Sequence, residues 1–251
     1  MAAVPFALEI CVDSVPSALS AQEAGAHRVE LCANLLEGGT TPSAGLIQVC
    51  RQHLHIPLHV LIRPRRGDFL YTALEFTVMR QDILLAKKLG ADGVVLGILL
   101  PDGKVDVPRT RELVQLAHPL SVTFHRAFDL TPDPFQALQD VQKLKVDRLL
   151  TSGQKPTALE GASLLAELQK SAGRELIILP GGGITDQNIL PLLRQTGVRE
   201  IHASARQVVE SQMLFRREDV SMGGTPLFSE YAHREASGDK IKALLNVVKT
   251  K

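Results

Sequence analysis

Short apolar segments alternate along this chain with longer segments whose apolar residues recur three and four positions apart. The first pattern predicts strands and the second predicts helices. The predicted strands are Ala7–Val12, His27–Cys32, Leu58–Arg63, Gly93–Gly97, Leu120–His125, Asp147–Thr151, Leu176–Pro180 and Glu200–Ser204. The predicted helices are Val15–Ala24, Ser43–His53, Leu74–Leu89, Pro108–Ala117, Pro134–Leu144, Thr157–Gln169, Asp186–Gln195 and Asp239–Val248. Strands that alternate with helices favour a parallel sheet with right-handed crossovers.

Eight strand–helix units predict an α/β fold, a (β/α)8 TIM barrel that forms a single domain over residues 1–251. An open doubly wound sheet is the alternative. It is disfavoured because Cys11-Val-Asp-Ser-Val-Pro16 follows the first strand, where such a sheet usually carries a glycine-rich dinucleotide fingerprint. Residues 205–235, which include Ser221-Met-Gly-Gly-Thr-Pro226, are predicted to form a long irregular segment.

Polar residues occupy alternate positions in the first two predicted strands. Glu9 and Cys11 stand between apolar residues of the first strand, and Glu30 and Cys32 do so in the second. Since successive side chains of a strand point to opposite faces, the apolar set is expected to contact the helices and the polar set to enter the barrel. Buried charged groups are costly unless paired, so a polar cluster at the barrel mouth indicates a functional site.

Six residues of this cluster and its loops are candidate catalytic groups. Glu9, Glu30 and His125 are acid or base candidates, and Arg63 can bind an anion. Asp129 can orient Arg126 or an imidazole. Structural interpretations stay open: an outward-facing carboxylate for Glu9 or Glu30, a core histidine for His202, and a loop ion pair between Arg126 and Asp129. For Arg63 the alternative is a surface loop of solvated charges, which fits this residue less well. The candidates are Glu9, Glu30, Arg63, His125, Asp129 and His202.

Two thiols follow the carboxylates, in Glu9-Ile-Cys11 and Glu30-Leu-Cys32. Neighbouring strands lie about 4.8 Å apart, so the thiols of Cys11 and Cys32 could approach each other and bind a metal ion. Soft thiolates suit Cu(I), which tolerates few ligands, whereas Zn(II) prefers four. The alternative is that both cysteines are small core residues, as we interpret Cys50.

Three loops after the sixth, seventh and eighth strands have the composition of anion sites. In barrels of this class, phosphate often binds at the loops after the seventh and eighth strands, where glycine turns and helix starts present backbone amides. The candidate ligand-binding residues are Thr151, Ser152, Gly153, Gly181, Gly182, Gly183 and Ser204.

Composition limits the partners of the chain. Lys and Arg number 28, Asp and Glu 27, and aromatic residues make up 4%, which disfavours nucleic acid and anionic membranes as partners. Three cysteines do not suggest a disulfide framework, and no apolar run reaches the ~20 residues that span a bilayer. We therefore expect a soluble cytoplasmic protein that can also enter the nucleus.

Eight short motifs are spread along the chain: Glu9-x-Cys11, Arg28-Val-Glu30-Leu-Cys32, Glu37-Gly-Gly-Thr-Thr-Pro-Ser43, Ile62-Arg-Pro-Arg65, Gly67-Asp-Phe69, Thr123-Phe-His-Arg-Ala-Phe-Asp129, Leu150-Thr-Ser-Gly153 and Pro180-Gly-Gly-Gly-Ile184. With these motifs the chain resembles the CutC family, named for copper homeostasis, over essentially its whole length. The resemblance implies a barrel, a cytoplasmic location, assembly into a homo-oligomer (a dimer or tetramer) and Cu(I) binding. In animal members, the thiols proposed for copper match Cys11 and Cys32. Arg66 is a departure, because the family prefers glycine there.

Three functions follow as hypotheses. The first is a copper homeostasis protein that binds Cu(I) through the thiols at the barrel mouth. The second is an enzyme, a lyase, isomerase or hydrolase, acting on a small anionic or phosphorylated metabolite. It would account for the charged cluster and the anion loops, which two thiols leave unexplained. The third is an interaction protein that retains a vestigial site.

Overall fold

A computed structural model describes residues 6–217, 219–220 and 229–249 of the chain. Its central sheet has eight parallel strands, and a bridge between Gly181 and His202 joins the seventh strand to the eighth. The strands are β1 (Ala7–Val12), β2 (Arg28–Leu31), β3 (Leu58–Leu61), β4 (Gly93–Leu96), β5 (Ser121–Phe124), β6 (Arg148–Thr151), β7 (Ile177–Pro180) and β8 (Glu200–Ala203). Each of β1 to β7 pairs with its neighbour in sequence, and β8 pairs with β1. The predicted barrel is confirmed.

Eight helices accompany the strands of the described chain. They are α1 (Val15–Glu23), α2 (Ala44–His53), α3 (Ala73–Lys88), α4 (Val107–Ala117), α5 (Pro134–Lys143), α6 (Ala162–Ala172), α7 (Ile189–Thr196) and α8 (Gly238–Lys249). Two short 3₁₀ turns, Leu35–Glu37 and Arg126–Leu130, lie in the loops after β2 and β5. No helix in the described ranges is both long and apolar enough to span a membrane.

Two helices begin at least three residues later than the sequence predicted. The prediction placed the start of α6 at Thr157, but the hydroxyl of Thr157 accepts the amide of Glu160 in a separate turn and the helix begins at Ala162. The side chain of Asn188 accepts the amide of Thr185 at 2.8 Å in the same way, before α7 begins at Ile189. Local side-chain hydrogen bonds compete with the helical pattern at both starts.

The alternation predicted for the first strands is confirmed. Leu8 and Ile10 are fully buried in the core that the strands share with the helices. Glu9, Cys11 and Glu30 have the opposite phase and are also buried, with exposed fractions of 1%, 8% and 5%. They therefore lie inside the barrel.

The pairing register offsets the two Glu-x-Cys triplets. Cys11 is the Cα partner of Glu30, and Glu9 is the partner of Arg28. The triplets are shifted by two residues, so Cys32 lies further along the barrel axis than Cys11. A closed barrel requires such a stagger between neighbouring strands, and the repeated motif alone does not reveal it.

The segment predicted as irregular, residues 205–235, contains a hairpin. Its strands are β9 (Arg206–Glu210) and β10 (Ala232–Ala236), which pair antiparallel. The prediction of an irregular segment was wrong at these two ends, because β10 lacks the large β-branched residues that usually mark a strand. The motif Ser221–Pro226 lies outside the described residues.

Candidate functional site at the barrel mouth

A cavity of about 790 Å³ opens at the C-terminal ends of the barrel strands. Cys11, Glu30 and His202 line its buried part. Three cations line its outer part: Arg126 of the loop after β5, Arg206 at the start of β9 and Lys240 of α8. Small-molecule sites in proteins commonly have this volume, and in this fold they lie at this end of the barrel.

A layer of ion pairs lies next to the cavity, inside the barrel. The guanidinium of Arg28 donates to the carboxylate of Glu9 and, at 2.9 Å, to that of Glu200, which also accepts from Arg148 at 2.8 Å. Burial alone would raise the pKa of Glu9, but a hydrogen bond from His202 and the charge of Arg28 hold that pKa well below its usual range. Glu9, a predicted catalytic residue, therefore lies within this paired layer as a carboxylate.

His202 connects the ion-pair layer to the cavity. Its Nδ1 lies 2.7 Å from Glu9 Oε1, and its Nε2 lies 3.8 Å from Glu30 Oε2. Burial alone would lower the pKa of His202, but the negative charges around it, Glu30 foremost, raise that pKa well above the usual value. The ring is therefore held as an imidazolium, with its orientation fixed by Glu9.

Three potential metal ligands converge at the buried end of the cavity. One ligand atom each from Cys11, Glu30 and His202 lies within 4.8 Å of the others. The other ring nitrogen of His202, Nδ1, forms a hydrogen bond with the carboxylate of Glu9. In other proteins, such a hydrogen bond orients metal-binding histidines. The sequence grouped Cys11 with Cys32, whereas the structure places Cys11 against a carboxylate and an imidazole.

The second predicted metal ligand, Cys32, lies beside the same carboxylate. Its thiol donates to Glu30 Oε2 at 3.4 Å, and the residue is 1% exposed. Burial, together with the charge of Glu30, raises the pKa of the Cys32 thiol well above its usual value. All three cysteines of the chain are free thiols, and Cys50 lies apart from the cavity, in the core.

His125, which directly follows β5, lines the cavity at a different strand from Cys11, Glu30 and His202. Its Nδ1 accepts the amide of Ala127 at 3.3 Å, and its ring packs on that of Phe69 with 4.8 Å between centroids. Burial, and then the charge of Arg63, lowers the pKa of His125 to about 3. The ring is therefore neutral at physiological pH.

Arg63 also lines the cavity, but backbone carbonyls take most of its donors. Its Nη1 donates to the carbonyls of Glu37 and Gly39, at 3.1 and 2.7 Å, and its Nη2 donates to Gly67 at 2.9 Å. Its guanidinium lies 5.0 Å from the centre of the Phe69 ring. These contacts hold the loops after β2 and β3 together, while the positive charge of Arg63 remains beside the cavity.

Asp129 organises the loop after β6. Its carboxylate accepts hydrogen bonds from the Ser152 amide at 3.1 Å and from the Thr151 hydroxyl, and it pairs with Arg126 at 2.7 Å. Of the two orientations that the sequence allowed, the contact to Arg126 is the one present. The carboxylate of Asp129 thus takes the place that the sequence assigned to a bound anion in this loop. Thr151, Ser152 and Gly153 are buried and do not line the cavity.

The loops after β7 and β8 remain part of the cavity. Gly182, Gly183 and Ser204 line it, as the sequence led us to expect. Gly181 instead belongs to the barrel, since its amide donates to the carbonyl of Thr151 at 3.0 Å. Lys240 completes this side of the cavity, and its Nζ donates to the Arg206 carbonyl at 2.7 Å. Nothing in the sequence marked Lys240, because it comes from a helix far along the chain.

The family model described as CutC family matches residues 6–207. A CutC family protein of Chromobacterium violaceum is 54% identical over 237 residues, which are 94% of this chain and 96% of that protein. The human copper homeostasis protein cutC homolog is 47% identical over 248 residues, 99% of this chain and 91% of that protein. A crystal structure of CutC from Streptococcus agalactiae superposes with a TM-score of 0.76 at 34% identity, covering 79% of this chain and 98% of that one. The chain belongs to the CutC family.

Proposed function

We propose that the chain binds Cu(I) as its cargo at the buried end of the cavity. The observation that carries this proposal is the convergence of Cys11, Glu30 and His202, whose ligand atoms lie within 4.8 Å of one another. The human and mouse relatives are named as copper homeostasis proteins, which supports the choice of metal.

The donor set fits Cu(I). Thiolate sulfur and imidazole nitrogen are soft or intermediate ligands that suit this ion. Cys11 and His202 supply one of each, and Cys32 supplies a second sulfur beside Glu30. The carboxylate of Glu30 is a hard ligand, so we assign it to hydrogen bonding and charge balance. Metal binding requires that the thiols and the imidazole lose their protons.

Titration of Cu(I) against a competing chelator, without oxygen, tests the proposal. We expect the full chain to bind one Cu(I) and the variant with Cys11→Ala and Cys32→Ala together to lose it. Cys50→Ala is the matched control, because it removes a buried thiol away from the cavity. Uptake by the double variant equal to that of the unmodified chain would overturn the proposal.

The volume and charge of the cavity favour a second function, that of an enzyme. A metal ion fills only a small part of 790 Å³, and four cations line the space: Arg63, Arg126, Arg206 and Lys240. We propose a small anionic or phosphorylated metabolite as substrate, with Glu30 as acid or base and a lyase, isomerase or hydrolase reaction. Crystals soaked in sulfate test this function. An anion bound among these cations would support it, and a cavity without any bound anion would contradict it.

A further inference from the structure

His125 carries a hydrogen-bond donor without a partner in the described part of the chain. Its Nδ1 accepts the Ala127 amide, so the neutral ring has its proton on Nε2. That Nε2 is buried, and none of the described residues forms a hydrogen bond with it. A buried donor left unpaired costs about 1 to 3 kcal/mol, so it calls for an explanation such as a bound water or ion or a catalytic role.

The ring is fixed as well as unpaired. A Cβ atom at Gly97 would lie 2.6 Å from His125 Nδ1, so the ring fills space that only a glycine leaves open. Phe69 covers the ring at 4.8 Å and is itself covered by the guanidinium of Arg63 at 5.0 Å. All three side chains line the cavity. The donor is therefore held in place before any ligand arrives.

The protonation state of His125 decides its chemistry. The pKa of His125 is lowered to about 3 by burial and by the charge of Arg63, so the ring does not exchange protons near neutral pH. A neutral imidazole of this kind donates its N–H to an oxygen atom instead of serving as a general acid or base.

The charges around the cavity select an anion. Four cations and two carboxylates, those of Glu30 and Asp186, line it, although the whole chain has a formal net charge of only +1. Arg126 is anchored by Asp129 at 2.7 Å and by the Ser152 hydroxyl at 2.8 Å, and its Nη1 lies over Gly182. This cation is thus held beside the loop after β7.

We propose that the cavity binds a small organic acid, with a carbonyl or carboxylate oxygen on Nε2 of His125 and its negative charge among the cations of the loops. This inference deepens the enzyme function proposed above and rests on it. It is independent of copper, because His125 belongs to none of the contacts of the Cys11, Glu30 and His202 cluster.

Calorimetric titration of the metal-free chain with acetate, pyruvate and inorganic phosphate tests the inference. We expect pyruvate to bind, and His125→Phe, which keeps an aromatic ring on Phe69 but removes the donor, to weaken binding at least about tenfold. His125→Gln, whose side-chain amide restores a donor, is expected to recover most of the affinity. His55→Phe is the control, because His55 is exposed and lies outside the cavity lining.

A measurement on the unmodified chain guards against variants that fail to fold. In ¹⁵N-edited NMR spectra, the Nε2 proton of His125 is expected to shift when pyruvate is added. Equal pyruvate affinity in His125→Phe, or no binding of any of the three anions at millimolar concentration, would overturn the inference. A sulfate ion bound among the cations, together with equal pyruvate affinity in the unmodified chain and His125→Phe, would preserve the enzyme function while excluding this role of His125.

Discussion

The barrel holds two neighbouring groups of buried polar residues that differ in how completely their charges and hydrogen-bonding groups are paired. In the ion-pair layer, Glu9 and Glu200 each contact a guanidinium, and Arg28 joins them. At the mouth, Glu30 faces two thiols and an imidazolium, while Nε2 of His125 has no partner among the described residues. Buried charge alone therefore does not mark function. We infer function instead from the unmatched donor and ligand atoms of residues that line the cavity.

The largest expected effect is on the ion-pair layer. Arg28→Met leaves the carboxylates of Glu9 and Glu200 without their shared cation, in a region where the Arg28 side chain is 7% exposed and that of Glu9 is fully buried. Removing one partner of a buried ion pair usually costs about 3 to 5 kcal/mol. We expect the free energy of unfolding, measured by urea denaturation, to fall by that amount. A loss below about 1 kcal/mol would contradict the structural role of this layer.

A smaller effect is expected from acid. Burial lowers the pKa of His59 to about 4 and that of His125 to about 3, both below the usual 6.5. Because the unfolded chain then takes up protons first, the free energy of unfolding should fall as pH drops from about 6.5 to 4, by about 1 kcal/mol per pH unit for each histidine. His202 adds little slope well below pH 6.5, since the raised pKa keeps it protonated in the folded chain and a histidine of ordinary pKa is protonated there in the unfolded chain.

Urea denaturation between pH 7 and pH 4 measures this slope. His125→Gln removes one titrating ring, so its curve should be flatter than that of the unmodified chain. Equal slopes for the two chains would show that His125 is protonated in the folded state, contrary to its burial.

The affinity of the barrel mouth for Cu(I) should depend on pH. The raised pKa values of the Cys32 thiol and of His202 mean that both hold protons before the metal binds. Each proton displaced should make the apparent Cu(I) affinity about tenfold higher per pH unit. Chelator competition at pH 6, 7 and 8 measures this, and an affinity that does not change with pH would contradict the proposed ligands.

The smallest expected effect on stability comes from Glu30→Gln. Burial raises the pKa of Glu30, so its charged form is costly in the folded chain, and the His202 imidazolium keeps Glu9 as its hydrogen-bonded partner in the variant. We expect a change within about 1 kcal/mol, measured as for Arg28→Met, together with weaker copper binding. A loss as large as that of Arg28→Met would remove the distinction between the two groups of residues.

The sequence was sufficient for the fold and for the phase of its strands. Alternating apolar segments predicted the barrel, and the interleaved positions of Glu9 and Glu30 correctly predicted side chains inside it. It was not sufficient for register, because the stagger that aligns Cys11 with Glu30 arises from closure of the whole sheet. The sequence also did not reveal that the carboxylate of Asp129 accepts a hydrogen bond from a backbone amide of the loop after β6. Assembly into a homo-oligomer and entry into the nucleus stay predictions.

X-ray absorption spectroscopy of the chain loaded with Cu(I) tests the central claim most directly. We expect sulfur and nitrogen scatterers around copper, with the nitrogen lost in His202→Gln and one sulfur lost in Cys11→Ala. A spectrum that is unchanged by these substitutions would place the metal elsewhere and contradict the account.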